Sequence, residues 1–327
     1  PVRPATWPVA ELTRRLSDAD AAVVLKLGRS YHNVREALSA SGQLGDAFYV
    51  ERASTPGQRV LAAADVDETS VPYFSLAMLP GGRRRGSLAG TVAVVGLGPG
   101  DTDWMTPQSR RELAAASDLI GYGRYLDRVP ARDGQRRHPS DNTDEPARAR
   151  LACSLAEQGH AVAVVSSGDP GVFAMATTVL DEAKRWPDVQ IRVIPAMTAA
   201  QAVASRAGAP LGHDYAVISL SDRLKPWDVI AARLSAAAAA DLVLAIYNPA
   251  SRSRTWQVGA MRDLLLSHRN PDTPVVIGRN VSGPDEEVRV VRLADLDPAD
   301  VDMRCLLIIG SSQTHWYSTD SGDRVFT

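Results

Sequence analysis

A chain of 327 residues is long enough for two or three packing units. Its formal charge of −2 and apolar fraction of 45% suit a globular protein and give no bulk-charge sign of a nucleic-acid surface. Cys153 and Cys305 are the only cysteines, which excludes a disulfide framework and a thiolate zinc cluster, so no metal site is expected. No run approaches about 18 uninterrupted apolar residues, so no membrane-spanning helix is expected. Residues 1–15 lack the cation-then-apolar layout of a secretory signal, which leaves a cytoplasmic location as the default expectation.

In chain order, residues 22–28 (Ala-Val-Val-Leu-Lys-Leu-Gly) read as a strand, followed by Arg29-Ser30 and a helix over 34–40. Three further segments follow at 48–54, 58–66 and 73–79. This order recurs near the other end of the chain. Residues 242–249 (Leu-Val-Leu-Ala-Ile-Tyr-Asn-Pro) lead into a helix ending near 267, and 275–282, 288–296 and 305–310 follow at similar spacing. Four elements in one order argue for a duplicated domain. The later copy has a full domain before it and the early copy has none, so residue 1 is expected to lie in mid-protein, as in a fragment of a longer fusion. Between the two parts, residues 81–90 (Gly-Gly-Arg-Arg-Arg-Gly-Ser-Leu-Ala-Gly) read as a solvated linker.

The central stretch is 91–101, Thr-Val-Ala-Val-Val-Gly-Leu-Gly-Pro-Gly-Asp. Its β-branched run predicts a buried strand, and Gly96, Gly98 and Gly100 allow a tight turn and close approach. A dinucleotide fingerprint is not met, because Asp101 stands where the sixth-position glycine belongs, and no Gly-Lys-Ser/Thr follows for a P-loop. The ribose-binding acid of a Rossmann oxidoreductase is also missing, since Gly121-Tyr-Gly123 occupies its place. Thr106 reads as an N-cap with Pro107 at the first helical position, opening a helix over 107–117. A strand at 119–122 follows, then a basic irregular stretch over 124–142, a helix at 146–158, a strand at 161–166, a helix at 172–185 and a strand at 189–194. A strand at 214–220 opens the last domain. This alternation predicts a largely parallel sheet with helices on both faces.

Two more small-residue loops sit at strand ends: 166–173 (Ser-Ser-Gly-Asp-Pro-Gly-Val-Phe) and 195–200 (Pro-Ala-Met-Thr-Ala-Ala). Ligands of open α/β sheets collect beyond the carboxyl ends of strands, so three such loops mark a candidate site. Asp169 has the chemistry to accept hydrogen bonds from a ligand, or to cap the helix that follows. Taken together, Val-Gly-Leu-Gly-Pro-Gly-Asp at 95–101, Ser-Gly-Asp-Pro-Gly-Val-Phe at 167–173, Ile-Pro-Ala-Met-Thr-Ala at 194–199 and Tyr-Asn-Pro-Ala-Ser at 247–251 resemble the tetrapyrrole methylases, the class III S-adenosylmethionine (SAM)-dependent methyltransferases. With Ile-Ile-Gly-Ser-Ser-Gln-Thr at 308–314, the pattern is similar to the branch that methylates C17 of precorrin-3B in cobalamin biosynthesis. Residues 1–80 resemble the C-terminal domain of the branch that methylates C20 of precorrin-2, without that enzyme's own glycine turn and Gly-Asp-Pro loop, so no C20 activity is expected.

The resemblance implies an α/β, two-lobed tetrapyrrole-methylase fold with mixed, largely parallel sheets, preceded by an extra copy of the C-terminal lobe. The implied boundaries are 1–80 for that copy, 81–90 for the linker, 91–211 for the N-terminal lobe and 212–327 for the C-terminal lobe. It implies SAM as methyl donor, bound in the family between two lobes, with ring contraction of precorrin-3B to precorrin-4, and commonly a homodimer. Carried over by motif, Gly98, Pro99, Ser167, Gly168, Asp169, Val172, Phe173, Thr198, Ala199, Tyr247, Asn248 and Asn280 are the candidate cofactor-binding residues. Asp101, Tyr125 and His138 are candidate catalytic residues, Asp101 as a hydrogen-bond acceptor for pyrrole N–H groups and the other two for acid–base work. Arg124, Arg136, Arg137, Arg252, Arg254 and Arg279 are candidates for a wall facing the substrate's carboxylates. The alternatives are an NAD-dependent Rossmann-type oxidoreductase, a non-catalytic scaffold, and another branch of the same methylases.

Overall fold

The computed structural model describes residues 2–19, 21–80, 90–141, 144–223, 225–251, 253–320 and 322–327. Most of the linker expected at 81–90, and Arg252, lie outside the described residues. The chain divides into two compact units, Pro1–Leu97 with Met105–Ala196 and Gly98–Trp104 with Met197–Thr327.

The first unit opens with β1 (Val2–Pro4), α1 (Val9–Ser17), β2 (Ala22–Leu25), α2 (Tyr31–Ala40), β3 (Phe48–Glu51), β4 (Arg59–Ala62) and β5 (Ser75–Leu79). These strands form a sheet in the order β1-β2-β5-β3-β4, parallel only between β1 and β2. One face carries alternate residues such as Ala22, Val24, Tyr49, Ala77 and Leu79 into a core closed by Leu12, Leu16, Val34 and Leu38 of the two helices. That is the period-two pattern of a sheet covered on one side.

The rest of the unit runs β6 (Thr91–Gly96), α3 (Pro107–Ala115), β7 (Asp118–Tyr122), α4 (Gly123–Leu126), β8 (Arg136–Ser140), α5 (Glu145–Glu157), β9 (Ala161–Ser166), α6 (Met175–Ala183) and β10 (Gln190–Ile194). All five strands are parallel, in the order β10-β6-β9-β7-β8. Every residue of β6 and β9 is buried, as central strands covered on both faces must be. Val92, Val94, Val162 and Val164 pack against α5 and α6, while Ala93, Val95 and Val165 pack on the other side against Leu113 of α3 and Leu126 of α4. The stretch expected to be irregular contains α4 and β8. Strand β8 is polar, carries Pro139 and lies at the sheet edge, where such a sequence is tolerated and apolar alternation is not required.

The second unit contains α7 (Ala199–Ala207), β11 (Gly208–Ala209), β12 (Tyr215–Ser219), α8 (Trp227–Ala239), β13 (Val243–Tyr247), α9 (Gln257–Leu266), β14 (Pro274–Arg279), β15 (Glu287–Arg292), β16 (Cys305–Ile309), β17 (His315–Thr319) and β18 (Gly322–Phe326). Its main sheet, β12-β13-β16-β14-β15, repeats the order and strand directions of β1-β2-β5-β3-β4. Helices α8 and α9 cover one face and α7 the other, where Val203 sits over Gly278. Parallel pairing therefore dominates the central sheet, and the two repeated sheets are mainly antiparallel. Both cysteines are buried, and burial pushes each thiol up to about 11. No helix among the described residues is long and apolar enough to cross a membrane.

Candidate active site

In the first unit, three strand-end loops meet. A Cβ built on Gly96 would lie 2.6 Å from Ala196 Cβ, 2.7 Å from the Gly168 carbonyl oxygen and 2.9 Å from Pro170 Cδ. The ends of β6 and β9 and the segment after β10 thus touch at one point, which explains why a glycine stands there. Two side chains tie these loops. Asp169 accepts from Gly171 N–H at 2.8 Å through Oδ1 and from Ala196 N–H at 3.0 Å through Oδ2. Arg128 donates to the Leu97 carbonyl at 3.0 Å and to Ser167 Oγ at 3.2 Å. Asp169 caps no helix, since α6 begins after Ala174 with no side-chain cap.

Within this frame Gly168 has φ +65° and open space where a Cβ would point. Phe173 is held at φ +51° and is 50% exposed, while Val172 is half-buried and its N–H bonds the Asp169 carbonyl at 3.3 Å. A non-glycine residue at such an angle is uncommon and marks a loop whose shape is imposed by its surroundings. Ser167, Gly168, Asp169, Val172 and Phe173 therefore stand together on one loop.

The second unit holds the remaining cofactor-binding candidates, and Asp101. Tyr247, at the end of β13, shares a 2.5 Å hydrogen bond with Thr198 Oγ1 and accepts from Ala200 N–H at 2.9 Å. Its hydroxyl thus caps α7, whose N-cap residue Thr198 makes no side-chain cap of its own. Ala199, the first residue of this helix, is half-buried and packs against the core. Asn248 has φ +49°, donates from Nδ2 to Ser219 Oγ at 3.0 Å and offers its carbonyl to Arg254 at 3.0 Å. Asn280 has φ +49°, and its backbone bonds Arg304 O and Gly283 N. Gly98 takes φ +72°, with Trp104 O 2.8 Å from where a Cβ would be, and Pro99 beside it is half-buried. Asp101 is exposed. Its N–H donates to Ser282 Oγ at 2.8 Å, and its Oδ1 accepts from Asp103 N–H at 2.8 Å, so the carboxylate caps the turn over Thr102–Trp104.

The two acid–base candidates occupy different settings. Tyr125 lies in α4, edge-on to Tyr122 at 5.2 Å, and burial pushes its phenol pKa up. It stays protonated near neutral pH and suits donation better than proton removal. His138 does not lie in an irregular loop. It sits on β8 and its Nε2 is 2.9 Å from Asp118 Oδ1. Asp118, the first residue of β7, has a fully buried side chain and also meets Arg136, His160 (3.1 Å) and Ser117 Oγ (2.7 Å). His138 is therefore turned toward the amino end of the parallel sheet, away from the loops at its carboxyl end. Burial pushes the Asp118 pKa up, but hydrogen bonds from His138, Arg136 and Ser117 outweigh this and hold it below the ordinary value.

Among the described arginines proposed for a carboxylate wall, four are already engaged. Arg136 pairs with Asp118, Arg137 donates to the Leu126 and Val129 carbonyls, Arg254 to the Leu220 and Asn248 carbonyls, and Arg279 to Asp302 at 3.0 Å. Arg124 is exposed. The residues that sequence reasoning did not single out are Arg128, Ser219 and Ser282. Their spacing carries no motif, and only the neighbourhood of strand ends reveals them. No group of three His, Cys, Asp or Glu that could hold a metal ion occurs among the described residues.

Comparison with known proteins adds the family. Residues 91–297 match the Tetrapyrrole (Corrin/Porphyrin) Methylases. Cobalamin biosynthesis protein CobIJ of Mycobacterium bovis is 85% identical over 330 residues, covering 100% of this chain and 65% of its own length. A precorrin-3B C(17)-methyltransferase of Sinorhizobium sp is 45% identical over 245 residues, covering 73% of this chain and 96% of that protein. The crystal structure of the methyltransferase CobJ superposes with a TM-score of 0.70 at 40% identity, covering 73% of this chain and 100% of that one. The chain thus spans 65% of the length of the CobIJ protein it matches. The loops that meet at Gly96 lie inside the matched span, on the parallel sheet that carries the motifs, and the chain belongs to the tetrapyrrole methylases.

Proposed function

We propose that the chain transfers a methyl group from SAM to C17 of precorrin-3B, in the ring-contracting step of cobalamin biosynthesis that yields precorrin-4. The observation that carries this reading is the convergence of Gly96, Gly168, Pro170 and Ala196, in loops that follow the motif order of a family to which a 45% identical C17-methyltransferase belongs.

The residues present fit such a donor. Asp169 keeps acceptor capacity after its two backbone bonds, open space lies before Gly168, and Phe173 offers a half-exposed ring. Ser167, Gly168, Asp169, Val172 and Phe173, which stand on one loop of the first unit, would hold it. When bound, SAM supplies a methyl group activated by its sulfonium. The chain's part is alignment and exclusion of water, since an in-line displacement at carbon gains most from a fixed near-attack geometry. Arg128 and Asp169 fix the loops in advance, so little ordering remains on binding. Tyr125, protonated, is the better placed of the acid–base candidates, and Asp101 is assigned to holding its turn.

Incubation of the chain with SAM and precorrin-3B tests the proposal. The expected result is a product heavier by one methylene equivalent with an altered absorbance spectrum. Unchanged mass and spectrum, with SAM consumed or not, would refute it.

A further inference from the structure

Residues 98–104 follow β6 in the chain but belong to the second compact unit, together with α7 and the turn between β14 and β15. Side chains of that unit hold the segment at both ends. The Asp101 N–H donates to Ser282 Oγ at 2.8 Å, and the Ser282 N–H donates to Glu286 Oε2 at 2.6 Å. Arg206, in the last turn of α7, donates from Nε to Glu286 Oε1 at 2.6 Å and lies over the Trp104 ring at 4.9 Å. The chain of contacts thus leaves the segment at Asp101 and returns to it at Trp104. The fit is close: a Cβ built on Gly100 would lie 2.6 Å from the Ser282 carbonyl oxygen, and Trp104 packs against the core that contains Val203 and Val281.

An ion pair at the surface contributes little by itself. The early lobe shows what the local turn requires. There Ser54, at φ +62°, donates its N–H to Gln58 Oε1 at 2.7 Å, with the same four-residue spacing as Ser282, at φ +64°, and Glu286. A neutral amide therefore suffices for the serine N–H. The carboxylate at 286 adds a second charged oxygen, which Arg206 takes, and that hydrogen bond holds the Glu286 pKa below its ordinary value. The charge serves the contact with α7 and Trp104, and the turn around Ser282 does not need it.

We propose that Ser282, Glu286 and Arg206 are positioning residues, which hold the Gly98–Trp104 segment, and Asp101 with it, in the shape that methyl transfer uses. The Asp101 carboxylate accepts from the Asp103 N–H at 2.8 Å, so loosening the Ser282 contact frees backbone and side chain together. The part played in transfer rests on the function proposed above, and the brace itself rests on the second unit alone.

The test pairs hydrogen exchange, read by mass spectrometry on a peptide containing Asp101, with steady-state kinetics. Ser282→Ala removes the acceptor of the Asp101 N–H. Expected results are exchange faster by about tenfold, kcat/KM for precorrin-3B lower by about tenfold, and a SAM Kd within about twofold of wild type, since the residues assigned to SAM stand on the 167–173 loop. Glu286→Gln retains an acceptor for the Ser282 N–H, as Gln58 does for Ser54, and is expected to keep the wild-type Tm while lowering kcat/KM by less than Ser282→Ala does. Unchanged kcat/KM in both variants, or unchanged exchange in Ser282→Ala, would overturn the proposal. If wild type transfers no methyl group, the function proposal falls, and faster exchange in Ser282→Ala still supports the brace.

Discussion

Gly96 has no room for a side chain, because its neighbours are two other loops of the sheet's carboxyl end. Gly96→Ala would force Ala196, Gly168 and Pro170 outward. Overpacking of this kind costs about 1–3 kcal/mol, so a lowered denaturation midpoint is expected together with weaker SAM binding by calorimetry. Unchanged SAM affinity in a destabilised variant would separate the packing role of this glycine from the site. The residue was legible as a special position from its place after a β-branched run. What it makes room for was not, since Ala196 is 100 positions away in a segment with no marked chemistry. Asp169 shows the same division: its glycine-flanked loop suggested a ligand acceptor or a helix cap, and its carboxylate spans two loops.

At the level of elements, the Asp118 cluster fastens the amino ends of three strands of the parallel sheet. Asp118 belongs to β7, Arg136 and His138 to β8, and His160 immediately precedes β9. Because the folded-state pKa of Asp118 lies below its ordinary value, the stability it contributes is present above about pH 4 and is lost as pH falls through the folded value. Asp118→Asn should cost about 3 kcal/mol at neutral pH, as removal of one partner from a buried ionic group does. It should also flatten the acid limb of the stability profile, read from urea midpoints between neutral pH and about pH 3. Equal acid sensitivity in wild type and variant would contradict this. Helix α3 is the opposite case of legibility: Thr106 accepts from Ser109 N–H at 3.0 Å with Pro107 at the first turn, as its local sequence states. Strand β8 lacked any such sign.

For the molecule as a whole, the duplication sets the plan. Two sheets share one strand order, and the all-parallel sheet with its converging loops occurs between them in the chain. The early lobe and the parallel sheet belong to one compact unit, where Asp18 and Arg110 approach to 3.7 Å and the Ser41 carbonyl accepts from Arg111 at 3.4 Å. A ligand bound only by the folded state raises stability by about 2.7 kcal/mol at a hundredfold excess over its Kd. Addition of SAM should therefore raise the Tm of at least one transition by several degrees, and NAD should leave every transition in place. The reverse pattern would favour an oxidoreductase.

The sequence by itself determined the repeat, the family and the elements with a strong local signal, such as strands β6 and β9 and the capped helix α3, because these reside in local periodicity, turn chemistry and motif order. Only the tertiary structure decided which polar groups stand free and which are spent on holding loops. Asp101 and Ser282 are 181 positions apart, and Arg192 and Glu112 are 80 apart, yet each pair is hydrogen-bonded. Such partners depend on which strands become neighbours in a sheet, and that is settled by burying apolar faces across the whole chain, with no trace in the residues around either partner.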